Sequence, residues 1–532
     1  MRASARASCA MLALAAGMAR AQAAPEPPPV VTHHQITVGG RTLKYAAIAG
    51  RLPIVHNDAG EPHAYMFFIA YRLEGASGPR PLTFLWNGGP GSSASQVHLL
   101  GFGPKRLDLG SDTYPTMKPL DASTPIVDNA ETWLDFTDLV FVDPIGTGYS
   151  RPTKPEYGAE FYNTVGDAEA VAEFIRVYRM RYDAFNAPVY LAGESYGTVR
   201  ASWVAEALER RNTRVSGVAL ISGYIRVGQH APPVMETALQ VPTFARTAYY
   251  HKKLPAALQS LSAADAVARA DTWARTEYAL GLERRESVKP LTPAERDTIV
   301  ARLAYFTGVK PSHIDAKTLT LSEPVFTEHL LEDQGLDVGR YDARMTAKRD
   351  VSKIPWTTLV DPSLAAVIDV MQGTSPPMLR YFRNDLEYKS DLVYRGPFGG
   401  AYPAPAEPNG DWMGDLWKGP PPAGVPAYSP SLDDADAGRP SMPPLIPPLQ
   451  RAMQEDSAMR IFVANGAYDT LTTCDDTGYL VSIIDAPLKE RVTFKCYIGG
   501  HMMYTDKLAR QELKRDMERL VRGPVSASTA PK

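Results

Sequence analysis

The sequence predicts an α/β fold: a mostly parallel, doubly wound sheet interrupted by a large inserted cap. Three observations predict it. Apolar runs of strand length recur, helical stretches lie between them, and the alternation stops over one long interval. The runs are AYMFFIAYRL (64–73), PLTFLW (81–86), DLVFVD (138–143), PVYLAG (188–193) and GVALIS (217–222), then RIFVAN (460–465) and RVTFKCY (491–497). Runs that are apolar at nearly every position suit strands buried on both faces of a parallel sheet.

Helices are expected over 164–182, 198–211 and 506–522, where apolar residues fall at helical spacing. The first has Asp167 and Glu169 in its opening turns and Arg179 and Arg181 in its last. That charge order suits the helix dipole. Strand alternating with helix means a doubly wound sheet. Between 227 and 455 strand-like runs are scarce, although 254–282 reads as helical. Residues 403–448 carry 13 prolines, too many for long helices or central strands. Trp412, Trp417 and Tyr428 give that stretch something to bury, so it reads as an ordered, irregular part of the insertion.

Bulk composition narrows the function. The chain has 532 residues, 44% hydrophobic and 22% charged, with a formal charge of −3. Such a balance offers no electrostatic reason to expect nucleic acid or an anionic membrane as partner. Residues 1–24 have the form of a secretory signal peptide: Arg2 and Arg6, a short apolar run from about Ala7 to Ala19, and small residues around Ala21-Gln22-Ala23. The run is shorter than the roughly 20 residues a membrane span needs. The expectation is an exported protein, periplasmic or secreted, with no membrane span. The expected division is signal 1–24, core 25–226, cap 227–455, core 456–524 and a disordered tail 525–532. Outside the signal only Cys474 and Cys496 remain. A disulfide between them and a pair of buried free thiols are both compatible with export. No ligand spacing suggests a metal site, and no cofactor is expected.

The chemistry starts at GESYG (193–197), between the strand ending PVYLA and a helix. Gly-x-Ser-x-Gly at a strand-to-helix turn has the form of the nucleophile elbow of an α/β-hydrolase. Gly193 and Gly197 suit a turn so tight that side chains there would strike neighbouring backbone. Ser195 is the expected nucleophile. In that fold the triad runs Ser, acid, His. His501, in YIGGHMM, is the only histidine beyond position 329 and follows the last strand. Asp469 lies in the loop after 460–465 and is the expected acid; Asp475 and Asp476 are rivals assigned to the next helix. LWNGGPGSS (85–93) also follows a strand. By the same fold logic the N–H groups of Gly89 and Tyr196 form the oxyanion hole.

Together these residues resemble the serine carboxypeptidase family of α/β-hydrolases. The matches are NGGPGSS (87–93), DPIGTGYS (143–150), GESYGT (193–198), the Asp469 loop and GGHM (499–502). The resemblance covers most of 60–225 and 455–505. It implies an inserted cap, acid-tolerant exopeptidase action on peptides, and release of single C-terminal residues. It also implies that Glu194, Asn87 and Gly88 bind the substrate's C-terminal carboxylate. Two carboxylates repel, so Glu194 must be protonated for that task; burial and a neighbouring anion both push its pKa up.

Two positions depart from the family pattern. Ser92 stands at a half-cystine-like position. In LLGFGP (99–104), Gly101 stands where the family has a second glutamate that shares a proton with the first. Gly101 is the feature that favours a different substrate on the same triad, as in an aminopeptidase, esterase or acyltransferase. The third reading, a non-catalytic binding protein, is opposed by the presence of all three triad residue types and of Gly88-Gly89 in the oxyanion loop.

Overall fold

Two strands that the apolar-run reading missed open the sheet. Val30–Val38 (β1) and Arg41–Val55 (β2) pair antiparallel in register from Val30–Ala49 to Val38–Arg41. Their turn is Gly39-Gly40, both with positive φ (55° and 76°), as a tight hairpin requires. β1 alternates more and less exposed residues over its first six positions, so the signal was period two, not a continuous apolar run.

The structure is a computed structural model. It describes residues 26–55, 60–110, 120–223, 225, 233–285, 287–349, 361–397 and 447–523. The expected signal peptide, the expected tail and most of the proline-rich stretch, with Trp412, Trp417 and Tyr428, lie outside the described residues.

The other main strands are Pro62–Leu73 (β3), Leu82–Trp86 (β4), Asp138–Val142 (β5), Val189–Glu194 (β6), Val215–Ile221 (β7), Arg460–Gly466 (β8) and Val492–Tyr497 (β9). The sheet order is β1-β2-β3-β5-β4-β6-β7-β8-β9, and Arg151–Pro152 pairs at the side of β3. The first three pairings are antiparallel and the next five parallel. This is the mostly parallel α/β-hydrolase sheet that the sequence predicts, with an antiparallel flank. Trp86 pairs with Gly193 and Glu194 with Ile221, so the carboxyl ends of β4, β6 and β7 lie side by side. Open α/β sheets place ligands outside those ends.

The helices used below are Thr164–Arg181 (α1), Tyr196–Arg210 (α2), Gln240–Tyr250 (α3), Ala263–Trp273 (α4), Pro293–Thr307 (α5), Pro448–Glu455 (α6), Cys474–Ser482 (α7) and Lys507–Arg522 (α8). α1, α2 and α8 fall within two residues of expectation at each end. The expected helix 254–282 is broken by a turn before α4 and continues beyond it through a wide turn at Ala274–Tyr278 into Ala279–Arg284.

Strand periodicity sorts the side chains onto two faces. In β6, Val189 and Leu191 join the core with α1, α2 and α6, while Tyr190 and Ala192 join the core with α8. Fully burying one large apolar side chain contributes about 1.5–3 kcal/mol, so two such layers fix the register firmly.

The interval 227–455 divides in space. Its earlier part builds a separate core, in which Phe244 of α3 stacks on Phe326 at 4.1 Å and Trp273 on Tyr278 at 5.1 Å. Val370, Met378, Tyr381 and Phe382 instead pack into the core shared with α8. α6 buries Leu449, Ala452 and Met453 in the core shared with α1 and α2. A disulfide joins Cys474, the first residue of α7, to Cys496 of β9, with Cα atoms 5.7 Å apart. Among the described residues no helix is long and apolar enough to cross a membrane.

Candidate active site

The elbow is built by close backbone packing. β6 ends at Glu194, α2 begins at Tyr196, and Ser195 between them has φ 58° and ψ −129°. A non-glycine residue at positive φ is strained and persists where the surroundings over-determine it. Here they do. Ser195 N donates to Ile221 O at 2.9 Å, and Thr198 N and Oγ1 both donate to Ser195 O. A Cβ at Gly193 would lie 2.0 Å from Gly197 O, and one at Gly197 2.9 Å from the Trp86 ring. Trp86 Nε1 donates to Gly197 O at 2.9 Å, which ties the elbow to the end of β4.

Asp469 and His501 meet in the loops after β8 and β9. His501 Nδ1 and Asp469 Oδ2 are 2.7 Å apart, and both residues are buried. Asp469 also accepts from Leu471 N, Thr472 N and Thr472 Oγ1, so its carboxylate is held in one orientation. Burial alone would lower the His501 pKa. The Asp469 charge and hydrogen bond, with the nearby Glu194, outweigh burial and raise it. His501 Nε2 is buried and has no hydrogen-bond partner. Ser195, Glu194 and His501 line one cavity of about 150 Å³, with Asn87, Gly88, Gly89 and Tyr341 among its walls. An unpaired imidazole nitrogen on a residue that shares a cavity with a serine is chemically suited to take that serine's proton, because catalytic hydrogen bonds tighten in the substrate complex. Asp475 and Asp476 lie in the first turn of α7, and Asp475 pairs with Arg246 at 3.1 Å.

Glu194 is buried, and its carboxyl group accepts from two side-chain donors. Asn87 Nδ2 donates to Oε2, and Tyr504 OH donates to Oε1 at 2.9 Å. Burial raises its pKa most. His501, Tyr504 and Asn87 pull it down, Asp469 pushes it up, and the net direction is up. A Cβ at Gly88 would lie 2.4 Å from Tyr196 N and 2.8 Å from Gly197 N, so this loop lies directly on the start of α2. The two expected oxyanion donors therefore belong to backbone segments in contact.

Sequence reasoning missed several residues that set this geometry. Asp167, read as a helix-dipole charge, is buried and paired with Arg200 at 2.6 Å. Arg200 Nη1 then donates to Asn87 O at 2.7 Å, which anchors the Asn-Gly-Gly loop. The DPIGTGYS stretch acts on the same loop: Asp143 accepts from Ala94 N at 2.8 Å, and burial pushes its carboxyl pKa up to about 7. Tyr341, within the interval read as insertion, accepts from His501 N at its carbonyl (2.5 Å) and sets its ring edge-on to the imidazole at 5.2 Å. The helical spacing of Asp167 and Arg200 was legible; their mutual burial was not.

Comparison with known proteins adds a family. A family model described as serine carboxypeptidase matches residues 54–277. A pheromone-processing carboxypeptidase of Puccinia graminis f. sp. tritici is 29% identical over 170 residues, 31% of this chain and 24% of the relative. One from Aspergillus niger is 33% identical over 150 residues, 27% of this chain and 21% of the relative. The matched stretch thus spans about a quarter of the length of the curated relatives. The solved structure of a prohormone-processing carboxypeptidase from Saccharomyces cerevisiae aligns with a TM-score of 0.49 at 14% identity, covering 90% of this chain and 91% of that one. Residues 54–277 thus match the serine carboxypeptidase family, the same family that the sequence motifs resemble.

Proposed function

We propose that this protein is an exported serine-type carboxypeptidase that releases C-terminal residues from peptides. Ser195 Oγ attacks the scissile carbonyl while His501 Nε2 takes its proton. Asp469 holds the imidazole tautomer and stabilises the imidazolium. The N–H groups of Gly89 and Tyr196 receive the developing oxyanion; one such donor contributes about 3–4 kcal/mol. His501 returns its proton to the leaving amine, and water releases the acyl group from Ser195. Export rests on the signal-like residues 1–24.

One observation carries the carboxypeptidase reading: a buried carboxyl group, Glu194, shares the cavity with Ser195 and is raised in pKa by burial. When protonated, it donates to a substrate carboxylate, with Asn87 and Gly88 completing that subsite. As pH rises through the Glu194 pKa, the group ionises and repels the same carboxylate, so KM for a free-acid substrate rises. The test compares a blocked dipeptide with its C-terminal amide at pH 5. Faster cleavage of the acid supports the reading. Equal rates would move the triad to aminopeptidase, esterase or acyltransferase chemistry.

A further inference from the structure

Gly101 leaves room for a ring. It lies in the wide helical turn Val97–Phe102, where a Cβ would sit 3.1 Å from Tyr504 Cδ2 and 3.4 Å from Cγ. Tyr504 is fully buried against this turn and sits across Phe102 at 5.2 Å. Its carbonyl accepts from Arg510 Nη1 at 2.8 Å, and its hydroxyl donates to Glu194 Oε1 at 2.9 Å. Tyr504 is absent from the cavity wall that Glu194 helps form, so it reaches a substrate only through Glu194.

Resting on the carboxypeptidase reading above, we propose that Tyr504 is the positioning residue that takes the place of a second carboxyl group. It holds Glu194 from behind and sets the pH above which the site stops accepting a substrate carboxylate.

The argument is one of charge. A second carboxyl would share a proton with Glu194 and add a titrating anion beside it. A phenol hydroxyl donates a hydrogen bond without adding that anion. Glu194 therefore titrates as a single carboxyl, and each donor aimed at it favours its ionised form. Those donors are Tyr504 OH and Asn87 Nδ2. Among charged groups, His501 favours the ionised form and Asp469 opposes it. Arg510, on the far side of Tyr504, is 3.5 Å from Glu131. Removing the phenol hydroxyl takes away one donor to the anion, so the Glu194 midpoint moves up, not down.

The experiment measures KM against pH for the blocked dipeptide acid and its amide, in the wild type and in Tyr504→Phe. The expected result is an upward shift of the acid-substrate midpoint by about one pH unit, so that between the two midpoints KM is up to about tenfold lower in the variant. The amide, which lacks the carboxylate, reports the triad in the same protein and shows no such shift. Gly101→Ala, whose methyl displaces the ring, moves the midpoint the same way by less. Glu194→Gln, a permanent neutral donor, flattens the acid profile and assigns the midpoint to Glu194. A midpoint that stays put or falls in both Tyr504→Phe and Gly101→Ala overturns the proposal. Should the wild type treat acid and amide alike, the carboxylate reading falls, and with it the substrate half of this proposal. Infrared titration of the Glu194 carboxyl band, assigned by its loss in Glu194→Gln, then decides whether Tyr504 sets its protonation.

Discussion

The floor and the rim of the cavity are held in different ways. The floor consists of loops at the carboxyl ends of β4 and β6 and after β9, backed by the loop after β8 through the Asp469–His501 contact. Two of the groups that set this geometry are fixed several times over: Asn87 through its amide, its side-chain carbonyl and its backbone carbonyl, and Asp469 through three donors besides His501. The rim includes Tyr341, Met371 and Pro397 from the interval 227–455, and the contacts of Tyr341 with the floor include a backbone hydrogen bond from His501 and a ring edge against its imidazole. Chemistry needs sub-ångström placement, which the rigid sheet supplies. Substrate selection tolerates variation, which suits the segment farther from the sheet.

Three substitutions probe that contrast, in descending order of effect. Ser195→Ala removes the proposed nucleophile from the floor. Turnover should fall about a million-fold and labelling by an organophosphonate should vanish; continued labelling would place the nucleophile elsewhere. Arg200→Met strips the anchor under Asn87 and leaves Asp167 buried without its ion-pair partner. The loss should be about 3–5 kcal/mol, read from urea unfolding. A loss below about 1 kcal/mol would mean that the floor is not held through this pair. Tyr341→Ala alters only the rim. Losing an aromatic edge contact is worth about 0.5–1.5 kcal/mol. The expected effect is a threefold to tenfold fall in kcat/KM with an almost unchanged unfolding midpoint. A fall as large as that of Ser195→Ala would erase the distinction between floor and rim.

Legibility in the sequence followed the same division. Groups whose placement depends on a strand end and the next few residues were readable. Ser195 sits where a strand becomes a helix, and Asp469 and His501 each follow a strand. β1 and β2 were readable in principle, from a Gly-Gly turn between alternating runs, but a search for continuous apolar runs passes over such strands. The place of Asp167 on α1 was readable, while its inward direction was not, because a helix start accepts an acid on either face.

By itself, then, the sequence determined the parallel sheet, the elbow at Ser195 and the order of the candidate triad, because strand periodicity and tight-turn sterics act over a few residues. Only the tertiary structure decided what surrounds Glu194. Tyr504 lies 310 positions along the chain from Glu194, and Arg200 lies 113 from Asn87. No local pattern announces such partners; burial selects them when distant loops must share one cavity and every enclosed polar group needs a hydrogen bond. Gly101 read alone was a missing carboxyl group, and beside the ring of Tyr504 it is the space that a phenol needs.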